Sequence, residues 1–204
     1  MFEDSSHIAA QTAAAATISG HLYRASMIAK RMALAAKNSR AMVLRAGSKA
    51  AGLKVISDYF DELADKTINL SHIINHSAIS ISQNSVKQWR TQGFLHNLSK
   101  CKARVGNQKS TQLDPAMSIG EDSLHELANK LQSELSSLND QLLDIRQYMQ
   151  SSNVVAVTFR LEATQTGEFQ PLLESMANSI DGLSNEIKNH ITFSQNQLAQ
   201  FKVS

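Results

Sequence analysis

Residues 38–63 align without gaps on residues 158–183 at an offset of 120, which brings Gly47 onto Gly167 and Leu63 onto Leu183. Around each glycine the apolar residues recur at alternating steps of three and four, the spacing of helices packed along a coiled-coil seam. The chain therefore reads as one helical hairpin written twice. A repeated hairpin constrains architecture first and chemistry only indirectly, because it is a scaffold on which a site has to be placed.

The third helical segment carries the cleanest seam. It runs through Leu124, Ala128, Leu131, Leu135, Leu138, Leu142, Ile145, Met149, Ser152, Ala156, Phe159 and Ala163. Subtracting 120 gives Gln11, Ala15, Ile18, Leu22, Ala25, Ala29, Met32, Ala36, Ser39 and Val43 on the first segment, with alanines where the third has larger side chains. The second segment continues the period through Ile56, Phe60, Leu63, Thr67, Leu70, Ile74, Ser77 and Ile81. The fourth does so through Leu173, Met176, Ile180, Leu183, Ile187, His190, Ser194 and Phe201. The only two prolines, Pro115 and Pro171, fall where the helical period has to break.

These patterns predict an all-α fold: an elongated antiparallel four-helix coiled-coil bundle built from two long hairpins, residues 1–103 and 123–204, joined by a linker at 104–122. Glu121 or Asp122 is expected to open the third helix. The first helix, over 9–46, would span roughly 55 Å and the third roughly 65 Å at about 1.5 Å per residue. Both hairpin turns would lie at one end and the linker at the other. The seams can be closed within one chain or between two, so a monomeric bundle and a homodimer are both open.

Composition supports a long bundle: of 204 residues 42% are hydrophobic but only 5% aromatic. One cysteine, Cys101, cannot form an internal disulfide, and no run approaches the roughly 20 apolar residues of a membrane span. The expectation is a cytoplasmic protein with no membrane span. Charge is uneven: between Asp65 and Asp114 there is no acidic residue, while Lys87, Arg90, Lys100, Lys102, Arg104 and Lys109 lie there with Trp89 and Phe94. Such a segment, 87–109, suits nucleic acid or an acidic partner. The favoured account is plainer: these cations complement the end of the second helix and face the acidic residues Glu121, Asp122 and Glu126 of the third.

No nucleophile elbow, phosphate loop or cofactor motif is present, so neither an enzyme nor a cofactor is expected. His72 and His76 stand one helical turn apart but off the seam, which favours solvated histidines over a metal site. His190 occupies a seam position, the one that Leu70 holds in the first half, where a buried polar layer would set register and respond to pH.

The residues around the two turns resemble the cytoplasmic signalling hairpin of the methyl-accepting chemotaxis receptors. In the first half the match runs over Ile28, Ala29, Leu34, Ala36, Asn38, Arg45, Ala46, Gly47, Gly52, Val55, Leu63 and Ala64. In the second it runs over Asn153, Ala156, Glu162, Ala163, Gly167, Glu168, Ala177 and Leu183. It covers about 40 residues of each half, without a gap. The resemblance implies a bundle tip that binds a histidine kinase, its coupling protein or other receptor tips, with one chain imitating a receptor dimer. The implied contact residues are Asn38, Arg40, Met42, Arg45 and Ser48 in the first half and Thr158, Arg160, Glu162, Gln165 and Glu168 in the second. The family's glutamate before the turn is Met42 in one half and Glu162 in the other. Its arginine is Arg45 and Gln165, and its turn glutamate Ser48 and Glu168, so each contact pair is divided between the repeats. Arg40 and Arg160 stand where the family places alanine. Paired glutamines or glutamates at the methylation spacing are absent from the sequence. The competing expectation is a helical binding module that works through the basic segment.

Overall fold

The computed structural model describes residues 2–47, 52–104 and 111–202, with side chains over 13–45, 47, 52–104 and 111–199. Four helices account for nearly all of it: α1 (Phe2–Ala46), α2 (Leu53–Arg104), α3 (Asp114–Ala163) and α4 (Gln170–Lys202). Each helix packs on two others in the cyclic order α1, α2, α3, α4, giving an antiparallel bundle in which α1 lies against α2 and α4, and α3 against α2 and α4. Two single 3₁₀ turns, Thr111–Leu113 and Gly167–Phe169, lead into α3 and α4.

The all-α four-helix bundle read from the heptads is the fold. The repeat is equally plain in three dimensions. Gly47 and Gly167 both adopt the left-handed conformation, with φ of 60° and 57°, at equivalent positions after the first helix of each hairpin. From 61 to 79 and from 181 to 199 the buried, half-buried and exposed positions follow the same order, residue for residue. The two hairpins are thus related by an approximate two-fold axis along the bundle.

The predicted linker at 104–122 is too long. Helix α2 continues to Arg104 and α3 already begins at Asp114, so Glu121 and Asp122 lie inside a helix. Pro115 sits in the first turn of α3, where a missing N–H costs no helical hydrogen bond, and Asp114 supplies the negative charge that a helix start favours. A proline taken as a break marks a beginning here. Residues 105–110, including Lys109, lie outside the described residues.

The core follows the predicted seam in part and adds a second row. Ile56, Leu70, Ser77, Leu124, Ala128, Leu135, Met176 and His190 of that seam are only half-buried, and the side chains of Gln11 and Phe201 lie outside the described residues. Ala15, Ile18, Leu22, Ala25, Ala29, Met32, Ala36, Ser39 and Val43 are all buried on α1. Ala33, Leu53, Ala64, Ala78, Ala177, Ile191 and Leu198, which lie beside the seam, are buried as well. A two-residue stripe per heptad suffices for a pair of helices, whereas a helix with neighbours on two sides buries a wider face.

Across the approximate axis, large and small residues alternate by half. Ala25 is matched by Ile145, Ala29 by Met149, Met32 by Ser152 and Ser39 by Phe159, all buried. The same holds between α2 and α4, where Thr67 is matched by Ile187, Ser71 by Ile191, Ala78 by Leu198 and, in the opposite sense, Ile74 by Ser194. These layers each receive one bulky and one slight side chain, which fills them without overpacking. Leu22 and Leu142, Leu53 and Leu173, Leu63 and Leu183, and Ala36 and Ala156, by contrast, keep the same buried residue in both halves. Thr67, Ser71 and Ser194 bond back to carbonyls one turn earlier, at 2.7, 2.7 and 2.9 Å. The hydroxyls of Ser39, Ser57, Ser152 and Ser184 are buried without a hydrogen-bond partner.

This arrangement predicts compensation. Phe159→Ser should lower stability by about 3–5 kcal/mol, the usual cost of truncating a buried aromatic. Adding Ser39→Phe should recover more than half of the loss in urea or thermal denaturation. A double variant no more stable than Phe159→Ser would show that the two positions do not share a layer.

Candidate functional site

The two hairpin turns meet at one end of the bundle. Glu162 of α3 reaches across to the start of α2, its carboxylate lying where a side chain on Gly52 would have to go: a Cβ there would stand 3.2 Å from Oε2. The second turn is built from local bonds, with the Gln165 N–H donating to the Glu162 carbonyl at 3.0 Å and the Thr166 hydroxyl donating to the Ala163 carbonyl at 2.8 Å. Thr166 is buried and seals the turn from below.

Of the ten residues singled out at the tip, Ser48 lies outside the described residues. Asn38, Arg45, Gln165 and Glu168 are exposed, and Met42, Thr158 and Glu162 are half-buried. Thr158 turns its hydroxyl back to the Val154 carbonyl at 3.0 Å. Arg40 and Arg160 are both engaged by the helix that follows their own. Arg40 pairs with Asp58 of α2 at 3.3 Å. Arg160 bonds Asn178 of α4 at 3.0 Å and forms an ion pair with Asp181. Asp58 and Asn178 are themselves 120 apart, as are Asp61 and Asp181, so the same arginine cross-brace is built into both hairpins. The signal was in the repeat, on the partner helix. Both braces are partly solvated and contribute little to stability, but they hold the guanidinium groups against their own hairpin.

The sequence reading also missed the apolar residues that the tip leaves open. Leu44, Val55, Val154, Val157 and Leu161 are each more than half exposed. Val154, Val157 and Leu161 follow one another at steps of three and four, so they form a stripe on the outward face of α3. Seam-based reading passes over such residues because it scores only the period that faces inward.

At the other end, Lys102 is bonded to Asp114 at 2.5 Å, which joins the basic end of α2 to the acidic start of α3. Lys87, Arg90, Lys100 and Arg104 are exposed, as are Trp89 and Phe94. Cys101 is exposed and unpaired. Further along, Glu134 of α3 accepts hydrogen bonds from the Ser80 hydroxyl at 2.7 Å and the buried Asn84 amide at 2.8 Å, a polar clamp between the hairpins.

His190 finds a partner that the sequence did not disclose. Its Nδ1 lies 2.9 Å from Nδ1 of His21 on α1. The His21 ring stacks on Phe193, with centroids 4.1 Å apart and planes 18° from parallel. Burial lowers the pKa of both rings from the ordinary 6.5, and for His21 the other imidazole adds to the effect, as does Arg24 for both; Glu186 opposes it at His190. His72 and His76 are exposed, and among the described residues no group of three or more histidine, cysteine, aspartate or glutamate side chains is placed to hold a metal ion. Among the same residues no helix is long and apolar enough to cross a membrane.

No family model matches this chain, and neither a curated protein nor a solved structure matches it.

Two outcomes follow from this geometry. Gly167 has open space around its Cβ position, so Gly167→Ala costs only the left-handed backbone, about 1–2 kcal/mol by thermal denaturation; an unchanged midpoint would mean that the turn relaxes freely. For the histidines, the folded values lie below 6.5 and the unfolded value at 6.5. As pH falls through 6.5 the unfolded chain takes up protons that the folded chain refuses, so stability is full above that point and declines below it. A melting-temperature profile from pH 8 to 5 should show this decline, and His190→Leu should flatten it; equal slopes in the two proteins would exclude the pair as its source.

Proposed function

We propose that this chain is a soluble, chemotaxis-receptor-like signalling or scaffold protein that acts through protein contacts at its hairpin tips, with a histidine kinase, a coupling protein or receptor tips as partners. The observation that carries this reading is the open apolar stripe of Val154, Val157 and Leu161 beside the exposed Arg45, Gln165 and Glu168. An aliphatic stripe at helical spacing, bordered by charges, is the kind of surface on which another helix or a small β-domain docks. Water-exposed valine and leucine side chains contribute nothing to the bundle itself.

The divided contact pairs fit the same reading. With the two hairpins side by side in one chain, a partner that touches both meets Arg45 from one and Glu162 or Glu168 from the other. A single tip then presents one composite set of charges where a symmetric dimer would present two identical sets. Contact alone, with no catalytic step, is the mode of action.

The test uses purified chemotaxis kinase and coupling protein from the same organism. The wild-type chain should bind at least one of them, and Val157→Ser with Leu161→Ser should weaken that binding at least tenfold while leaving the melting temperature within a few degrees. Replacing Trp89 and Phe94 by serine should have no effect. Binding that survives the tip changes, or salt-sensitive retention on DNA or anionic vesicles in its place, would transfer function to the basic end of α2.

A further inference from the structure

His21 and His190 come from different hairpins, and their Nδ1 atoms, at 2.9 Å, share a single proton. One ring must donate and the other accept, and nothing about the bundle fixes which. Two imidazole nitrogens from neighbouring helices that converge at this distance also describe something else: two adjacent corners of a metal's coordination sphere. Bonds of about 2.0–2.1 Å from one ion to two nitrogens subtend about 90° when the nitrogens are 2.9 Å apart. That is the angle between neighbouring ligands in a square plane or an octahedron, while a tetrahedral ion would need the nitrogens about 3.4 Å apart.

We propose that His21 and His190 form a two-imidazole site for a divalent transition-metal ion that prefers tetragonal geometry, Cu²⁺ or Ni²⁺ ahead of Zn²⁺, and that the bound ion clamps α1 to α4. Water completes the coordination sphere, since the site is half-buried and not sealed. The donor ring's single proton moves through solvent from Nδ1 to its own Nε2, so that both rings carry their one proton on Nε2 and both Nδ1 lone pairs are free for the ion. Both imidazoles stay neutral, so binding at neutral pH releases no net proton and requires no oxidant or reductant.

Three features favour the site. Partial burial keeps both rings in the neutral form that binds metal. Phe193 stacks on His21 and holds its plane, so little rotational freedom is lost on binding. Glu186, one turn before His190, places a carboxylate nearby to offset the charge of Arg24, although Arg31 draws on it through an ion pair at 3.5 Å. The His72 and His76 pair, one turn apart and exposed on α2, is the obvious competitor, and it differs in a measurable way: an ion held there touches a single helix and ties no hairpin to another.

The experiment is titration of the full chain with CuSO₄, NiCl₂ and ZnCl₂ at pH 7.5, followed by calorimetry and by thermal denaturation. One Cu²⁺ or Ni²⁺ per chain should bind and raise the melting temperature, with Zn²⁺ weaker than Cu²⁺. His190→Leu, chosen because Leu70 fills the equivalent position, and separately His21→Asn, should each weaken binding at least tenfold and abolish the rise. His72→Ala with His76→Ala should leave both intact. A rise that persists in His190→Leu and His21→Asn, or that vanishes with His72 and His76, would overturn the assignment, as would the absence of binding to a wild-type chain shown to be folded by circular dichroism.

Discussion

The interior of this bundle depends on side chains matched across its approximate two-fold axis, many of them unequal in size. A symmetric bundle of two identical hairpins would set Ser39 against a second Ser39 and Phe159 against a second Phe159, leaving one layer hollow and another overfilled. In the chain as it stands that layer holds one of each, as do those of Ala25 and Ile145 and of Ala29 and Met149, while Leu22 and Leu142 or Ala36 and Ala156 repeat one residue in both halves. The alanine-rich face of α1 makes sense only in this light: Ala25 and Ala29 are small because Ile145 and Met149 occupy their layers. Packing of this kind favours the pairing of a first hairpin with a second over the pairing of two like hairpins.

The fold was largely legible because its signal is repetitive. A three-four period sustained over five heptads, repeated 120 residues later, leaves few architectures open. Helix α3 shows where reading stops: Pro115 and the glycine at 120 were taken as linker, but proline is at home in a first helical turn, and Gly120 is buried at a close approach to Leu95 that any Cβ would obstruct. Glycine as flexibility and glycine as proximity have the same letter. The tip was less legible. Arg40 and Arg160 stood out as contact residues of the tip, but their partners sit on the following helix, so that only the hairpin geometry joins Arg40 to Asp58 and Arg160 to Asn178 and Asp181. His21 carried no signal at all, since the position 120 residues on is a glutamine and the contact it makes is with the far hairpin.

The two kinds of polar group in the bundle play different parts. Seam serines and threonines that bond back to their own helix, such as Thr67 and Ser71, satisfy themselves and permit sliding between helices. Groups that bond across helices, Glu134 with Ser80 and Asn84, Ser19 with Asn75, and His21 with His190, satisfy one another only in one register. These crosswise contacts lie away from the tip, in the half of the bundle toward the far end. The tip itself is held by packing around the buried Leu53, Phe60, Phe159 and Leu173, by solvated arginine braces and by the two left-handed glycines.

The matched inequality of the halves also has a genetic meaning. Two tandem copies in one gene are exposed to conversion, in which one copy overwrites the other. Here, replacing the stretch that encodes Ser39 with the one that encodes Phe159 would put two phenylalanines in one layer, and the reverse exchange would put two serines there. Either product is a poorer fold than the parent. The divergence that hides the repeat from casual inspection is what keeps the two copies from becoming one again.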